Sequence, residues 1–243
     1  MTNKKRHKPF YKQFLRLRKN VQNRPKLLKF KKQKWINFQL YSKKQLTLKK
    51  RFKIKDQYQL FVSKFASRGN SFQRKFRNNL YDRKIFSLFY GKLKNKYIKT
   101  RVLNLFRSKK DYHHSVDFRY KILQFFESRL DTVLYRANFS SSMKNAAQLI
   151  LHGHVLVNGM LVRTKSYILK VNDSVEIIQN KKSRDLVKNN LDKSSFWPVP
   201  PNHLLINYST LQILFTYTND SNLMPIFNHY LNIDSVITNI KKY

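Results

Sequence analysis

The pattern of apolar and polar residues between positions 128 and 178 changes from a helical to a strand period. Apolar side chains recur at i, i+3, i+4 and i+7 from Leu130 to Ala137 and again from Met143 to Ile150, which predicts two amphipathic helices. The serine run Ser140–Ser142 offers an N-cap to the second helix, and Gly153 offers it a left-handed C-terminal cap.

After the second helix, short apolar runs alternate with turn residues. Asn158-Gly159 is a dipeptide typical of two-residue hairpin turns, and Asn172-Asp173 predicts a second turn. The sequence therefore predicts a module of two helices and a small antiparallel sheet. Its predicted strands are Val155–Val157, Leu161-Val162, Tyr167–Leu169 and Val175–Ile177.

Residues 1–70 form a basic segment that is rich in aromatic residues, and no acid occurs before Asp56. So much charge opposes independent packing, which predicts an arm that orders on nucleic acid, with lysines on phosphates and rings on unpaired bases. A mitochondrial targeting peptide would also be basic and acid-poor. Such peptides are typically rich in arginine and serine, whereas lysine dominates here, so we expect a retained arm.

Residues 71–126 form a second basic region, in which helical spacing runs through 71–109 with one interruption. Ser108–Asp117 is a polar connection. Because the region is basic, we expect its helices to present lysines and arginines to the same nucleic-acid partner as the arm.

The chain beyond the module has little net charge. Residues 181–202 predict a polar linker that ends in a proline cluster, and residues 203–243 carry two lysines against two aspartates. The latter segment has predicted strands at His203–Tyr208 and Gln212–Tyr217, and its apolar character favours contacts with protein over contacts with RNA. The whole chain is thus predicted to be α+β.

Net charge points to the class of partner. The chain carries 51 lysines and arginines against 12 acids, a formal net charge of +39. Residues 1–125 hold 38 of these cations against 4 acids. Such a charge repels itself unless a polyanion neutralises it, which indicates a nucleic-acid partner.

The residues that several kinds of functional site require are absent from the sequence. There is no cysteine, so disulfides and cysteine-ligated metals are excluded, and the 4 glycines are too dispersed for a phosphate-binding loop. His113-His114 has no further ligands at metal-binding spacing. No apolar run approaches the roughly 20 residues of a membrane span. We expect no cofactor, no metal site and no membrane contact.

Five short motifs resemble one family. They occur in the order and spacing of that family, and the match needs no gap. They are Arg129-Leu130-Asp131, Leu134-Tyr135-Arg136, Gln148-Leu149-Ile150, His152-Gly153-His154 and Val157-Asn158-Gly159. This stretch looks like the RNA-binding domain of small-subunit ribosomal protein four, and Leu88–Leu93 resembles a Tyr-Gly stretch that the family carries upstream. The sequence departs from the family at Met143 and Ala147, where arginines are usual.

The resemblance implies a structural protein of the small ribosomal subunit that binds its rRNA. It also implies neighbouring ribosomal proteins as partners and a position near the mRNA entry side. The expected RNA-binding residues are Arg129, Arg136, Ser141, Ser142, Lys144, Gln148, His152, Arg163 and Lys165 in the module, and Arg74, Lys75, Arg77, Arg83, Lys84, Lys92 and Lys94 before it.

Residue usage indicates an organelle. The chain has 35 lysines, 16 arginines and 23 asparagines but only 4 alanines, which favours A/T-rich codons and hence an AT-biased genome. We expect the mitochondrion, with the plastid as the alternative.

Two other functions use the same module. RNA pseudouridine synthases often carry it, and Arg129-Leu130-Asp131 superficially resembles their catalytic motif, but only 65 residues follow Ile178 to build a catalytic domain. A free-standing RNA chaperone is the third possibility. We expect no enzymatic activity.

Charge distribution predicts where the affinity for RNA lies. Residues 129–178 carry a net charge of only +3. We expect a fragment of residues 126–243 to lose most of the affinity and several units of the log–log salt slope, since each phosphate neutralised contributes roughly 0.7 to 0.9. Binding of fragment and full chain to one small-subunit rRNA fragment across a salt series measures both, and equal slopes would contradict the prediction.

Overall fold

A computed structural model of the chain describes residues 11–22, 27, 29–43, 72–107, 118–192, 200–216, 233, 236 and 237. The chain forms two compact units, Met1–Phe89 with Phe227–Tyr243, and Tyr90–Ile226. Several predicted features lie outside the described residues, namely most of the arm, the connection Ser108–Asp117, Pro198 of the proline cluster and the turn region after Thr216. The ordering of the arm on RNA stays a prediction.

The first unit contains helices α1 (Lys12–Leu17), α2 (residues 33–43) and α3 (Phe72–Phe89). Phe14, Trp35 and Phe38 are buried, and the rings of Trp35 and Phe38 meet edge to face with centroids 5.9 Å apart. These three rings form apolar core, so the expectation that they stack on bases is wrong. Burial outweighs the surrounding charge because each ring removes a large apolar area from water.

The predicted helix with one interruption is confirmed. α3 ends at Phe89, and the next helix, α4, spans Asn95–Arg107. Gly91 (φ 76°) and Lys92 (φ 65°) adopt left-handed conformations between them, which no α-helix accommodates. Within the second unit, α5 (Phe118–Glu127) follows α4 in sequence.

The two module helices are confirmed as α6 (Leu130–Arg136) and α7 (Met143–Leu151). Their apolar residues share one core with the sheet, together with Phe139 from the turn between them. Asn138 ends α6 in a left-handed conformation (φ 59°), which its short amide side chain tolerates.

A five-stranded antiparallel sheet runs in the order β2-β1-β3-β5-β4. Asn158 (φ 50°) and Gly159 (φ 78°) make the predicted hairpin turn, and Val157 pairs with Met160 across it. The strands are β1 (Val155–Val157), β2 (Met160–Leu161), β3 (Ser174–Ile177), β4 (Leu204–Asn207) and β5 (Gln212–Phe215). The α+β class is confirmed.

One predicted strand is not part of the sheet. Tyr167–Leu169 makes only an isolated bridge between Ile168 and Arg129. Its backbone is satisfied by the connection between α5 and α6, because Leu130 N donates to Tyr167 O (2.9 Å) and Leu169 N donates to Ser128 O (2.9 Å). The segment therefore fastens the start of α6.

The C-terminal segments are more ordered than the sequence indicates. Lys181–Asp192, expected as polar linker, is helix α8, whose Val187 is fully buried in the module core. β4 and β5 confirm the two predicted strands, and β5 pairs with β3 of the module. They complete the module's sheet because Ile213 and Phe215 pack on the same core.

Within the described part of the chain, no helix is both long and apolar enough to cross a bilayer.

Candidate nucleic-acid interface

Helix α7 is capped by hydrogen bonds at both ends. Ser142 Oγ accepts a hydrogen bond from Asn145 N (3.2 Å), and Ser141 Oγ accepts one from Asn145 Nδ2 (3.3 Å). At the other end, Gly153 N donates to Ile150 O (3.0 Å) and His154 N to Leu149 O (3.0 Å), the pattern of a Schellman cap. The predicted caps are confirmed at both ends of α7.

One face of α7 presents polar residues to solvent. Lys144, Gln148 and His152 follow each other at i, i+4 and i+8, and all three are exposed. The opposite face is buried, with Met143 and Leu149 among its residues. We call Lys144, Gln148 and His152 the α7 row.

Arg163 lies at the C-terminal end of the α7 row. Its Nε would be 3.4 Å from a Cβ placed on Gly153, so any larger residue there would crowd the guanidinium. The strand hairpin therefore brings an exposed arginine beside His152, 11 positions earlier in the chain. A helix C-terminus carries partial negative charge, which favours cations at this place.

The His152 ring lies nearly parallel to that of His154, with 11° between planes and 6.1 Å between centroids. His154 Nδ1 is 2.8 Å from Ser183 Oγ on α8. Helix α8, missed as a helix from sequence, thus fixes one ring of this pair.

Arg129 does not face solvent. Its Nε and Nη2 donate to the two carboxylate oxygens of Asp131 (3.0 and 2.7 Å), and its Nη1 donates to Tyr97 Oη (2.8 Å). Only 2% of the Arg129 side chain is exposed. The prediction that Arg129 contacts RNA directly is therefore corrected: its charge is neutralised inside the protein.

Arg136 is also paired internally. Its Nε and Nη2 donate to the carboxylate oxygens of Glu127 (2.9 and 2.8 Å), and Tyr90 Oη donates to Glu127 Oε1 (2.8 Å). Burial alone would raise the pKa of Glu127, but Arg136 and the hydrogen bonds hold that pKa below its usual range. The predicted surface role of Arg136 is corrected in the same way.

A buried histidine lies near this pair. Burial lowers the pKa of His203 against the opposing effect of the Glu127 carboxylate. The His203 ring packs edge to face on Phe215 of β5, with centroids 5.9 Å apart. The uncharged ring suits this apolar position.

The remaining predicted residues divide by position. Arg77 and Lys84 are exposed on α3 and Arg83 is half-buried there, all in the first unit. Lys92 and Lys94 are exposed before α4, and Lys165 is exposed after the hairpin. The side chains of Arg74 and Lys75 lie outside the described residues. Among the residues that the structure describes, no group of three histidines or carboxylates could hold a metal.

Comparison with known proteins finds a family model that matches within the module. A family model described as "S4 domain" matches residues 128–175. A "Small ribosomal subunit protein uS4m" from Marchantia polymorpha is 32% identical over 193 residues, which cover 78% of this chain and 89% of the relative.

The chain belongs to the uS4 family.

Other members match a shorter part of the chain. A uS4c protein from Mesostigma viride is 42% identical over 90 residues, and a uS4 protein from Kosmotoga olearia is 44% identical over 80. These matches cover 43% and 38% of the relatives, so the alignment spans about two fifths of their length.

The two residues that depart from the uS4 pattern, Met143 and Ala147, differ in their exposure to solvent. Met143 is 3% exposed, and its Cβ would be 3.3 Å from a Cβ on Gly91. Ala147 is half-buried. Position 143 therefore faces the interior, so Met143 does not stand in place of a surface phosphate contact in this structure.

Sequence reasoning missed three residues that support the site: Tyr90, Tyr97 and Glu127. The Tyr-Gly stretch at Tyr90-Gly91 was the available signal, since it marked the region as family-like without indicating its buried partner. Glu127 has no local signal, because its partners lie 9 and 37 positions away.

We expect Glu127→Gln to destabilise the full chain by about 3–5 kcal/mol at pH 7, because Arg136 would keep a buried charge without its partner. Urea unfolding followed by circular dichroism measures the change. Asp185→Asn, an exposed carboxylate on α8, is the control and should stay within about 0.5 kcal/mol.

The difference should also depend on pH. A depressed pKa gives stability that is fully present above the unfolded value of 4.5 and is lost as pH falls through the folded value. The two proteins should therefore converge below pH 4.5, and a difference that is constant down to pH 3 would contradict the ion-pair account.

Proposed function

We propose that this uS4-family chain is a structural protein of a mitochondrial small ribosomal subunit and binds the rRNA of that subunit. The observation that carries the proposal is the exposed α7 row with Arg163 at its end, inside a matched S4 domain, on a chain of net charge +39. The relatives' printed names supply the assembly.

The site suits RNA for a physical reason. Lys144 and Arg163 supply charge at the two ends of the α7 row, and Gln148 and His152 supply hydrogen-bond donors and acceptors between them. Phosphates gain from the cations, while amide and imidazole groups can bond base edges or 2′-hydroxyls. The buried pairs of Arg129 and Arg136 hold α6 and α7 in place for this contact.

The organelle is proposed from two observations. The match to the uS4m relative extends over 78% of the chain, whereas the match to the uS4c relative from Mesostigma viride covers 37%. Residue usage also points to an AT-biased genome. The plastid is the alternative, and fractionation of the organelles distinguishes the two.

The proposal includes no catalytic step. In a pseudouridine synthase the aspartate must reach a uridine. Asp131 is 7% exposed at its side chain, and both of its oxygens accept hydrogen bonds from Arg129. This carboxylate is committed to holding α6.

Neighbouring small-subunit ribosomal proteins are proposed as further partners, and mRNA at the entry side as a third. The near-neutral segment after residue 202 supports the first of these. The mRNA contact rests on the family resemblance alone.

Sucrose-gradient sedimentation of organelle lysate tests the assembly. We expect the chain to sediment with the small subunit and to crosslink to its rRNA through the α7 row. Sedimentation at the top of the gradient, free of rRNA, would contradict the ribosomal role and favour a free-standing RNA chaperone.

A salt series on the full chain tests the site. We expect Lys144→Gln with Arg163→Gln to lower the log–log salt slope for rRNA binding by about 1.4 to 1.8, since each lost phosphate contact removes roughly 0.7 to 0.9. Lys188→Gln, an exposed cation on α8, is the control with an unchanged slope. A slope unchanged in the double variant would remove the α7 row from the interface.

A further inference from the structure

The five-stranded sheet is nearly without charge in a strongly basic protein. Its strands hold 3, 2, 4, 4 and 4 residues, and among them Glu176 is the sole charged one. In the part of the chain that the structure describes, every lysine and arginine lies outside these strands. The sheet is therefore a break in the basic surface.

One side of the sheet packs on the core and the other faces outward. Val175, Ile177, Ile213 and Phe215 point into the core. Because strand residues alternate, their neighbours point away from it. We call these neighbours the outer sheet face; they are Leu156, Leu161, Ser174, Glu176, Leu205, Asn207, Gln212 and Leu214.

Apolar side chains on this face are exposed and adjacent. Leu205 is 59% exposed and pairs directly across β4 and β5 with Leu214, which is 37% exposed. A hollow of about 460 Å³ lies over these strands, and none of its lining residues is a lysine or arginine. Contiguous exposed apolar surface of this kind marks interaction sites.

Glu176 places a negative charge in the hollow. It pairs with Gln212 on one side and with Leu156 on the other, so it sits in the middle of the sheet. Within the part of the chain that the structure describes, no ion pair or hydrogen bond engages the Glu176 side chain. A partner that covers this face must therefore supply its counter-charge.

We propose that the outer sheet face is the docking surface for a neighbouring protein of the subunit, which lays an apolar segment on Leu205 and Leu214 and a lysine or arginine on Glu176. The inference rests on the proposed function. RNA fits this face poorly, since phosphates would meet a carboxylate and leucines with no cation among the lining residues. A cation flanked by apolar side chains matches both the charge and the apolar pair.

The test uses the full chain in assembled subunits, with the photo-reactive residue p-benzoylphenylalanine in place of Gln212 at the centre of the face. We expect crosslinks to one protein, at a segment that contains a lysine or arginine. Glu176→Lys should lower that crosslink at least tenfold, and reversing the charge of the crosslinked partner residue should restore it.

A second pair of variants tests the apolar contact. Leu205→Thr with Leu214→Thr keeps residues that favour strands and should also lower the crosslink at least tenfold. Met160→Thr is the control, because Met160 is a 71% exposed strand residue that pairs with the inward-facing Val157. It should leave the crosslink unchanged, and equal unfolding midpoints for all variants confirm intact folds.

Other outcomes overturn the proposal. Crosslinks to rRNA, together with tighter RNA binding and a steeper salt slope in Glu176→Lys, would make the face an RNA surface. Crosslinks to a second copy, to another segment of this chain, or to nothing would each exclude a protein neighbour. If the chain does not sediment with the subunit, the ribosomal role fails; if it sediments with the subunit but gives no protein crosslink from position 212, the docking surface alone fails.

Discussion

The pairing of Glu127 with Arg136 is the interaction on which the second unit depends most. Removing two charges from water is costly, and the cost is recovered only when the geometry is bidentate and the remaining oxygens are bonded. Both conditions hold, since Arg136 donates twice and Tyr90 donates a third hydrogen bond. Through these hydrogen bonds, Glu127 at the end of α5 is joined to Arg136 at the end of α6 and to Tyr90, which precedes Gly91.

A second pair repeats this arrangement at the start of α6. Arg129 is locked on Asp131 and Tyr97, while the strand-like segment at Ile168 bonds the adjacent backbone. Helix α6 is thus held at both ends by guanidinium groups that are paired with carboxylates of this chain, one buried (Arg129) and one half-buried (Arg136). The helix that presents polar residues to a ligand, α7, packs on this fixed support, which restricts how the α7 row can be oriented.

Charge is segregated by secondary structure. Among the described residues of the second unit, the cations lie in helices and turns, and the sheet carries one carboxylate and a pair of exposed leucines. A polyanion and a protein can therefore bind the same unit on different surfaces without competing. Electrostatics separates the two because phosphates are attracted to the first surface and repelled from the second.

Periodicity and cap residues were enough to predict α6, α7 and the hairpin at Asn158-Gly159, because these elements depend on neighbours within a few positions. The α+β class and the polyanionic class of partner also followed from sequence alone. Helix α8 was missed because its composition is polar and Val187 is its one buried apolar residue.

The sequence by itself determined which residue types are present and where local structure forms, but it could not separate buried cations from exposed ones. Arg129 and Arg136 looked equivalent to Lys144 and Arg163. Only the tertiary structure decided their roles, because burial depends on partners distant in sequence, such as Glu127 for Arg136 and Tyr97 for Arg129. The tertiary structure also decided that β5 pairs with β3, because strand pairing across 38 residues leaves no local signal in the sequence.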